Sequence, residues 1–310
     1  LLTEFEKVSR LLWRAGVPLI PLKGISLLIR KVYPHGAREM SDVDILVPQD
    51  RFDEVQRILA ACGYRKTEEH VKNFDHVLGT HLWRTGTYLS PDGKTGGVSI
   101  DIHDRLQYFG TDLHPGVMRE KMAGIWRRAS RCDGMEGVSL LSPEDELLYL
   151  CVHAGLLHLP MRKVSLCDVA RLVWKFPSLP WDAFEREAVR LNVGAPAYLV
   201  LSEAVRFPGI GLPDGMLGRL RMACRHADLF ALRRAASGAR IWQHFYYFAR
   251  CRQPRLRGAL LKAWFWPSSE FLEALSSGGK LTRWVFLRRR IAELVRSLSN
   301  NRTLDRNNEG

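Results

Sequence analysis

The chain has 310 residues, of which 46% are hydrophobic, and it carries a formal net charge of +13. This length predicts about two domains with enough apolar side chains for a substantial core. Six scattered cysteines without a Cys-x-x-Cys pair argue against a disulfide framework and against a cysteine-ligated metal motif. The sequence lacks an apolar run long enough to span a bilayer and a secretory signal pattern at its first residues. We therefore expect reduced thiols in a cytoplasmic protein.

The positive charge is concentrated in one part of the chain. Residues 219–296 contain 17 Lys or Arg and 4 Asp or Glu, a surplus of 13 that equals the whole net charge. Such a block favours an anionic partner: RNA or another nucleic acid, a nucleotide, or an acidic protein. A solvated, arginine-rich helical surface fits the same composition equally well.

The first 141 residues alternate helical and extended patterns. Amphipathic spacing predicts helices over residues 3–15, 24–33 and 51–62, the last ending at Gly63. Short apolar runs predict strands over residues 17–22 and 43–47, with further strands over 76–83 and around Ile100. A hairpin is predicted over residues 127–141, around Asp133-Gly134. This alternation is typical of an α/β or α+β domain.

The pattern changes at Ser142, a good N-cap that is followed by Pro143 and two acidic residues. From there the spacing is helical as far as about residue 299, and the polar run that follows predicts disorder. We therefore divide the chain into an α+β domain (residues 1–141), a helical domain that is basic toward its C-terminal half (142–299), and a disordered tail (300–310).

Three aspartates are the candidate catalytic and metal-binding residues. Asp42 and Asp44 lie two apart on a predicted strand, so their side chains point to the same face. Carboxylates placed side by side repel each other unless a cation lies between them, and carboxylate oxygens suit Mg²⁺. Asp101, on a later strand, would complete the site and help to deprotonate an acceptor. By itself, each acid has a plainer interpretation as a turn or surface residue.

A candidate phosphate-binding turn lies just before the acid pair. Gly24 allows the backbone to approach a phosphate closely, and the start of a helix presents free N–H groups to anions. Lys23 adds a positive charge, Ser26 a hydroxyl donor, and Arg38 a guanidinium that is able to grip a phosphate with two hydrogen bonds. For Lys23 and Arg38, a purely structural ion pair with the acids is nearly as good an interpretation.

Over about residues 5–175 the chain resembles nucleotidyltransferases of the polymerase-β-type superfamily. More narrowly, it is similar to a bacterial family of uncharacterised nucleotidyltransferases. The resemblance rests on short motifs at corresponding places: Leu22-Lys23-Gly24, Tyr33, Arg38, Ser41-Asp42-Val43-Asp44-Ile45-Leu46-Val47, Gly63-Tyr64 and Ile100-Asp101-Ile102-His103, with a helical stretch over residues 147–172.

This resemblance implies a polymerase-β-like domain with a mixed sheet. It also implies two Mg²⁺ ions, with Mn²⁺ as an alternative, held by Asp42, Asp44 and Asp101, and a nucleoside triphosphate at the Gly24 turn. The chain departs from the superfamily pattern at Lys23-Gly24, where Gly-Ser is usual. Either Lys23 replaces the missing hydroxyl electrostatically or Ser26 takes its role.

Four further polar residues have alternative interpretations. His103 shares the face of Asp101, where it could bind a metal, contact a substrate or hydrogen-bond a carboxylate, and we favour a supporting role behind the metal ligands. His153 and His158 fit core or cleft histidines better than a shared ligand face, because their spacing of five is poor for one side of a helix. Asp168 lies in an apolar helix and needs a partner, for which Arg162 or Lys163 is a candidate, and it either braces that helix or faces a cleft.

An aromatic cluster lies among arginines in the basic block. Such interleaving suits stacking on single-stranded nucleic acid, but helical spacing favours a hydrophobic core with arginines outside. We favour the core. The cluster consists of Trp242, Phe245, Tyr246, Tyr247, Phe248, Trp264, Phe265 and Trp266.

Together these features predict a Mg²⁺-dependent nucleotidyltransferase that moves a nucleoside monophosphate from a nucleoside triphosphate to an acceptor hydroxyl. The acceptor is an RNA or tRNA end, a small molecule or a protein side chain. The alternative is a catalytically inactive fold of the same type that serves as a binding or scaffold module in a biosynthetic complex.

Overall fold

A computed structural model describes most of the chain. The described residues are 1–34, 36–67, 84–91, 97–106, 115–157, 159–238, 241–251, 253–267, 269, 272 and 282–299. The strand predicted over residues 76–83, His158 and the tail predicted over residues 300–310 lie outside them.

The N-terminal part is an α+β arrangement. Its elements, in chain order, are α1 (Leu2–Arg14), β1 (Ile20–Leu22), α2 (Lys23–Ile29), β2 (Asp42–Leu46), α3 (Phe52–Ala61), β3 (Arg65–Lys66), β4 (Thr85–Leu89), β5 (Ser99–His103), α4 (Pro115–Arg128), β6 (Ser130–Arg131) and β7 (Ser139–Leu140). Helix α2 ends four residues earlier than predicted, because Lys31 adopts a left-handed φ of 53°. Gly63, with a φ of 84°, follows α3 as predicted.

A mixed five-stranded sheet has the order β1-β2-β5-β4-β3. Strands β2 and β5 pair in parallel, whereas the β1–β2, β5–β4 and β4–β3 pairs are antiparallel. The predicted hairpin is the separate pair β6–β7. The parallel pair matters most for function, because it joins the two strands that carry the candidate acids.

The sheet separates two hydrophobic cores. One face, with Val43, Ile45, Ile100 and Ile102, packs against the apolar sides of α1 and α3. On the other side, residues of β1, α2 and β2 join a larger core that extends into the C-terminal helices. The strands therefore alternate, with apolar side chains toward α1 and α3 and polar ones on the opposite face.

The rest of the described chain is helical. Ser142 caps the first of these helices by accepting a hydrogen bond from the Asp145 N–H at 3.4 Å, as predicted. The helices are α5 (Pro143–Leu156), α6 (Lys163–Lys175), α7 (Trp181–Arg190), α8 (Gly194–Ala204), α9 (Met216–Met222), α10 (His226–Ala236), α11 (Ile241–Arg250), α12 (Pro254–Phe265) and α13 (Arg283–Ser299).

Three further expectations concern the whole chain. All six cysteines are free thiols. Among the described helices, none has the length and apolar character needed to cross a membrane. Of the aromatic cluster predicted to lie in the core, Tyr246 and Tyr247 are buried, whereas Phe265 and Trp266 are exposed.

Candidate functional site

A cleft of about 750 Å³ lies between the polar face of the sheet and helices α5 and α6. The sheet side is lined by side chains from β2, β4 and β5, and the opposite wall by helical residues that include His153, Arg162, Ser165 and Asp168. Of the seven candidate site residues, six line this cleft. They are Lys23, Gly24, Arg38, Asp42, Asp44 and Asp101.

The strand register brings the acids together. Asp44 on β2 lies directly opposite Asp101 on β5, and Asp42 lies opposite Ser99 one step along the same face. This placement follows from the sequence, because the alternating residues Val43 and Ile45 fill the core behind the sheet and leave the aspartates on the cleft side.

Asp44 is buried and carries two positive or hydrogen-bonding partners on a single oxygen. Lys23 Nζ lies 2.7 Å from Asp44 Oδ1, and His103 Nε2 donates to the same oxygen at 2.9 Å. Burial by itself raises the pKa of Asp44, but Lys23 and His103 outweigh it and hold that pKa well below its ordinary value. Lys23 shows the reciprocal effect, because Asp44 raises its pKa despite burial. Of the three roles considered for His103, the structure shows the hydrogen bond to a carboxylate.

The other two acids have fewer partners. Burial raises the pKa of Asp42, and the charges of Asp44 and Asp101 raise it further against the opposing effect of Lys23. Asp101 Oδ1 is buried and has no hydrogen-bond partner among the described residues. An acceptor oxygen left in this state costs free energy that a bound donor or cation would recover.

The Asp44 pairing predicts a pH-dependent contribution to stability. Because the folded pKa of Asp44 is depressed, the contribution is present above its unfolded pKa of about 3.9 and is lost as the pH falls below that value. Asp44→Asn should therefore lower the free energy of unfolding by on the order of 2 kcal/mol at about pH 7, and by less at about pH 3, where the contribution is only partly lost because the folded pKa lies lower still. Urea unfolding at the two pH values measures this. An equal loss at both would show that the charge of Asp44 is not stabilising.

The donor chemistry of the acids fits a hard divalent cation. Three carboxylates face one cleft, one buried oxygen has no partner among the described residues, and burial together with repulsion from the other two acids raises the Asp42 pKa. Nevertheless, no group of three or more His, Cys, Asp or Glu side chains within the described ranges is already arranged to hold a metal ion. The positive charge beside the acids is Lys23, which binds Asp44 directly.

The turn before α2 has two unusual features. Lys23 adopts a left-handed φ of 53°, which is uncommon for a residue with a Cβ and is found mostly at constrained sites. Gly24 follows it, and a Cβ at this position would come within 2.4 Å of Met40 Sδ. The Met40 side chain therefore packs directly over Gly24, and both residues line the cleft.

Ser26 lies away from the cleft, in contrast to its predicted role as a phosphate donor. It is fully buried and does not line the cleft. Burial also raises the pKa of the neighbouring Glu146 in α5, which forms an ion pair with Arg30. The cause of the Ser26 placement is the phase of α2, which turns Lys23 and Gly24 toward the cleft and Ser26 toward the helical core. Of the two substitutes considered for the usual Gly-Ser hydroxyl, only Lys23 lies in the cleft.

Arg38 binds a different acid from the pair predicted for it. Its Nε and Nη2 each lie 2.9 Å from the Asp168 carboxylate, and its Nη1 donates to the Glu39 carbonyl. Tyr33 Oη donates to Asp168 Oδ1 at 2.6 Å. The candidate partners Arg162 and Lys163 were therefore wrong. Asp168 was expected either to brace α6 or to face the cleft, and it does both. This cluster of Tyr33, Arg38 and Asp168 ties the segment before β2 to α6.

The cleft also contains residues that the sequence interpretation missed. Thr85 and Thr87 on β4 lie opposite His103 and Asp101, respectively, and line the cleft with them. Their alternation along a strand was the available signal, but uncharged hydroxyl residues on a strand do not by themselves indicate a binding site. His153 lines the opposite wall, in agreement with the cleft interpretation.

The comparisons with known proteins give one match. A family model described as "Uncharacterised nucleotidyltransferase" matches residues 1–208. Among curated proteins and among solved structures, nothing matches the chain.

Proposed function

Because the chain belongs to the family of uncharacterised nucleotidyltransferases, whose model matches residues 1–208, we propose that it is a Mg²⁺-dependent enzyme. In this proposal it transfers a nucleoside monophosphate from a nucleoside triphosphate to an acceptor hydroxyl. Reactions of this kind require the phosphates to be held in line and their charge to be neutralised.

The observation that carries the proposal is the row of carboxylates on one face of the parallel β2–β5 pair. Asp44 lies opposite Asp101, Asp42 is next to them, and Asp101 Oδ1 is buried without a partner in the described part of the chain. In the proposed enzyme, Asp42, Asp44 and Asp101 hold the metal. When bound, the metal would neutralise the triphosphate and lower the pKa of the attacking hydroxyl. Asp101 is also the candidate base for the acceptor proton.

The proposed triphosphate site is the Gly24 turn. Gly24 lines the cleft beside the Met40 side chain, so a triphosphate would contact its backbone once Met40 moves aside, and Lys23 supplies a positive charge beside the acids. The cleft volume of about 750 Å³ lies within the range typical of small-molecule sites. Arg38 uses both arms of its guanidinium on Asp168, so its proposed contribution is to hold the cleft wall.

The second candidate is a nucleotide-binding module without catalysis. It is favoured by one observation: Lys23 already neutralises Asp44, and no ready-made metal cluster exists among the described residues. In such a module the ion pair would remain intact when the nucleotide binds. The two candidates differ in whether the triphosphate is consumed.

The test is turnover of labelled nucleoside triphosphates by the purified chain. We expect pyrophosphate release that requires Mg²⁺ and an acceptor, and a loss of at least about a thousandfold in Asp42→Ala with Asp44→Ala. Incubation with a cell extract and an α-labelled triphosphate would then transfer the label to the acceptor. An RNA end, a protein or a small molecule is distinguished by nuclease, protease and size separation. Binding of the nucleotide without any label transfer would instead establish the module.

A further inference from the structure

Helix α13 at the C-terminal end of the described chain has a polar inner side. Arg283 Nε donates to the Pro267 carbonyl at 3.2 Å, and Glu293 accepts from the Ile241 N–H at 3.3 Å. Arg290 lies 3.3 Å from Glu293, and Phe286 is the buried apolar anchor of this side. The described contacts of this side therefore combine a polar bond to the first residue of α11, a polar bond to Pro267 and the buried ring of Phe286.

The outer side of the same helix carries large apolar side chains. Trp284 is 70% exposed and Ile291 is 51% exposed. They are seven residues apart, two turns along one side of the helix, with the exposed Arg288 between them. A surface helix usually keeps its large apolar side chains on the side that faces the core, whereas α13 has them on its outer side as well.

A second group of exposed apolar side chains lies at the end of α12. Leu261, Phe265 and Trp266 are 42%, 46% and 56% exposed, respectively. Arg283, the first residue of α13, lies over the Trp266 ring with its guanidinium carbon 5.0 Å from the ring centre. The two helix ends therefore meet. We name these exposed side chains the C-terminal apolar patch, which consists of Leu261, Phe265, Trp266, Trp284 and Ile291.

Positive charge surrounds the patch. Helix α13 contains five arginines and one glutamate, and that glutamate is turned inward against Ile241 and Arg290. On the outer side, Arg288 and Arg289 are exposed next to Trp284 and Ile291. Lys262 and Arg257 extend the positive surface along α12. The patch is thus a combination of aliphatic, tryptophan and arginine side chains without a facing acid among the described residues.

This combination favours one kind of partner. A second copy of the chain would bring like charges together across a two-fold interface. Single-stranded RNA stacks on aromatic rings, but it does not use aliphatic side chains such as Ile291 and Leu261. A bilayer interface uses all three types: tryptophan at the headgroup level, aliphatic side chains at the acyl boundary, and arginine against anionic phosphates. We propose that the C-terminal apolar patch docks the protein peripherally on an anionic membrane surface.

The experiment is co-sedimentation of the full chain with lipid vesicles. Vesicles of phosphatidylcholine alone are compared with vesicles that also contain phosphatidylglycerol. We expect binding only with the anionic lipid and weakening by salt. Trp284→Ser with Ile291→Ser should reduce binding by at least about tenfold. Arg288→Gln with Arg289→Gln should reduce it by about fivefold per arginine.

Val189→Ser is the matched control, because Val189 is a similarly exposed aliphatic residue on α7, outside the patch. It should bind vesicles like the unchanged chain. All variants lie on the surface, and circular dichroism checks that they fold. Three results would overturn the proposal: no preference for anionic vesicles, a dimer that dissociates in the Trp284 and Ile291 variant, or RNA binding lost in that variant without any vesicle binding.

Discussion

Replacing Asp101 by asparagine is expected to reduce nucleotide transfer by at least about a thousandfold while leaving the free energy of unfolding within about 0.5 kcal/mol of its original value. The stability is preserved because Asp101 Oδ1 is buried without a hydrogen bond to any described residue, and its charge repels Asp42. An uncharged amide relieves that repulsion. Turnover with labelled triphosphate and urea unfolding measure the two effects on one preparation.

The matched control is Asp50→Asn, which removes the charge of an exposed aspartate outside the cleft. It should change neither quantity. If Asp101→Asn retained full turnover, the proposed metal and base roles would be lost. If instead it were strongly destabilised, Asp101 would have a structural partner that accounts for its burial.

Removing the carboxylate of Asp168 is expected to lower the free energy of unfolding strongly, in contrast to Asp101→Asn. Asp168→Ala leaves Arg38 without the acid that both of its arms bind, and it takes away the acceptor of the Tyr33 hydroxyl. Breaking a largely buried pair of this kind costs about 3 kcal/mol. Urea unfolding should show this loss, and the cleft should bind nucleotide more weakly because α6 is no longer tied to the segment before β2.

Tyr33→Phe is the control for Asp168→Ala, because it removes one hydrogen bond and leaves the ion pair intact. It should cost about 1 kcal/mol. A loss of less than about 1 kcal/mol for Asp168→Ala would place this pair with ordinary surface ion pairs and would remove its role in holding the cleft.

The strands that carry the acids were predictable from short-range patterns. Val43 and Ile45 alternate with Asp42 and Asp44, and Ile100 and Ile102 enclose Asp101. This period of two makes each strand recognisable and places all three acids on one face. The family model over residues 1–208 and the mixed sheet agree with that interpretation.

The partners of the acids were not predictable in the same way. Arg38 and Asp168 are separated by 130 positions, and the helical packing that brings them together leaves no periodic signal. The prediction for Asp168 considered only cations close to it in the sequence, and its partner was therefore wrong. The phosphate-binding role predicted for Ser26 was wrong for a related reason. A shift of two residues along α2 turns a side chain from the cleft toward the core.

The parallel pairing of β2 with β5 has a consequence for how this protein acquires its activity. Positions 44 and 101 meet only through a long excursion of the chain, whereas the C-terminal helices form from neighbouring residues. Contacts of large sequence separation form slowly because the intervening loop must close first. The proposed nucleotide binding in the cleft should consequently be among the last properties to emerge during refolding. It would report a completed tertiary structure, whereas helical circular dichroism would recover earlier.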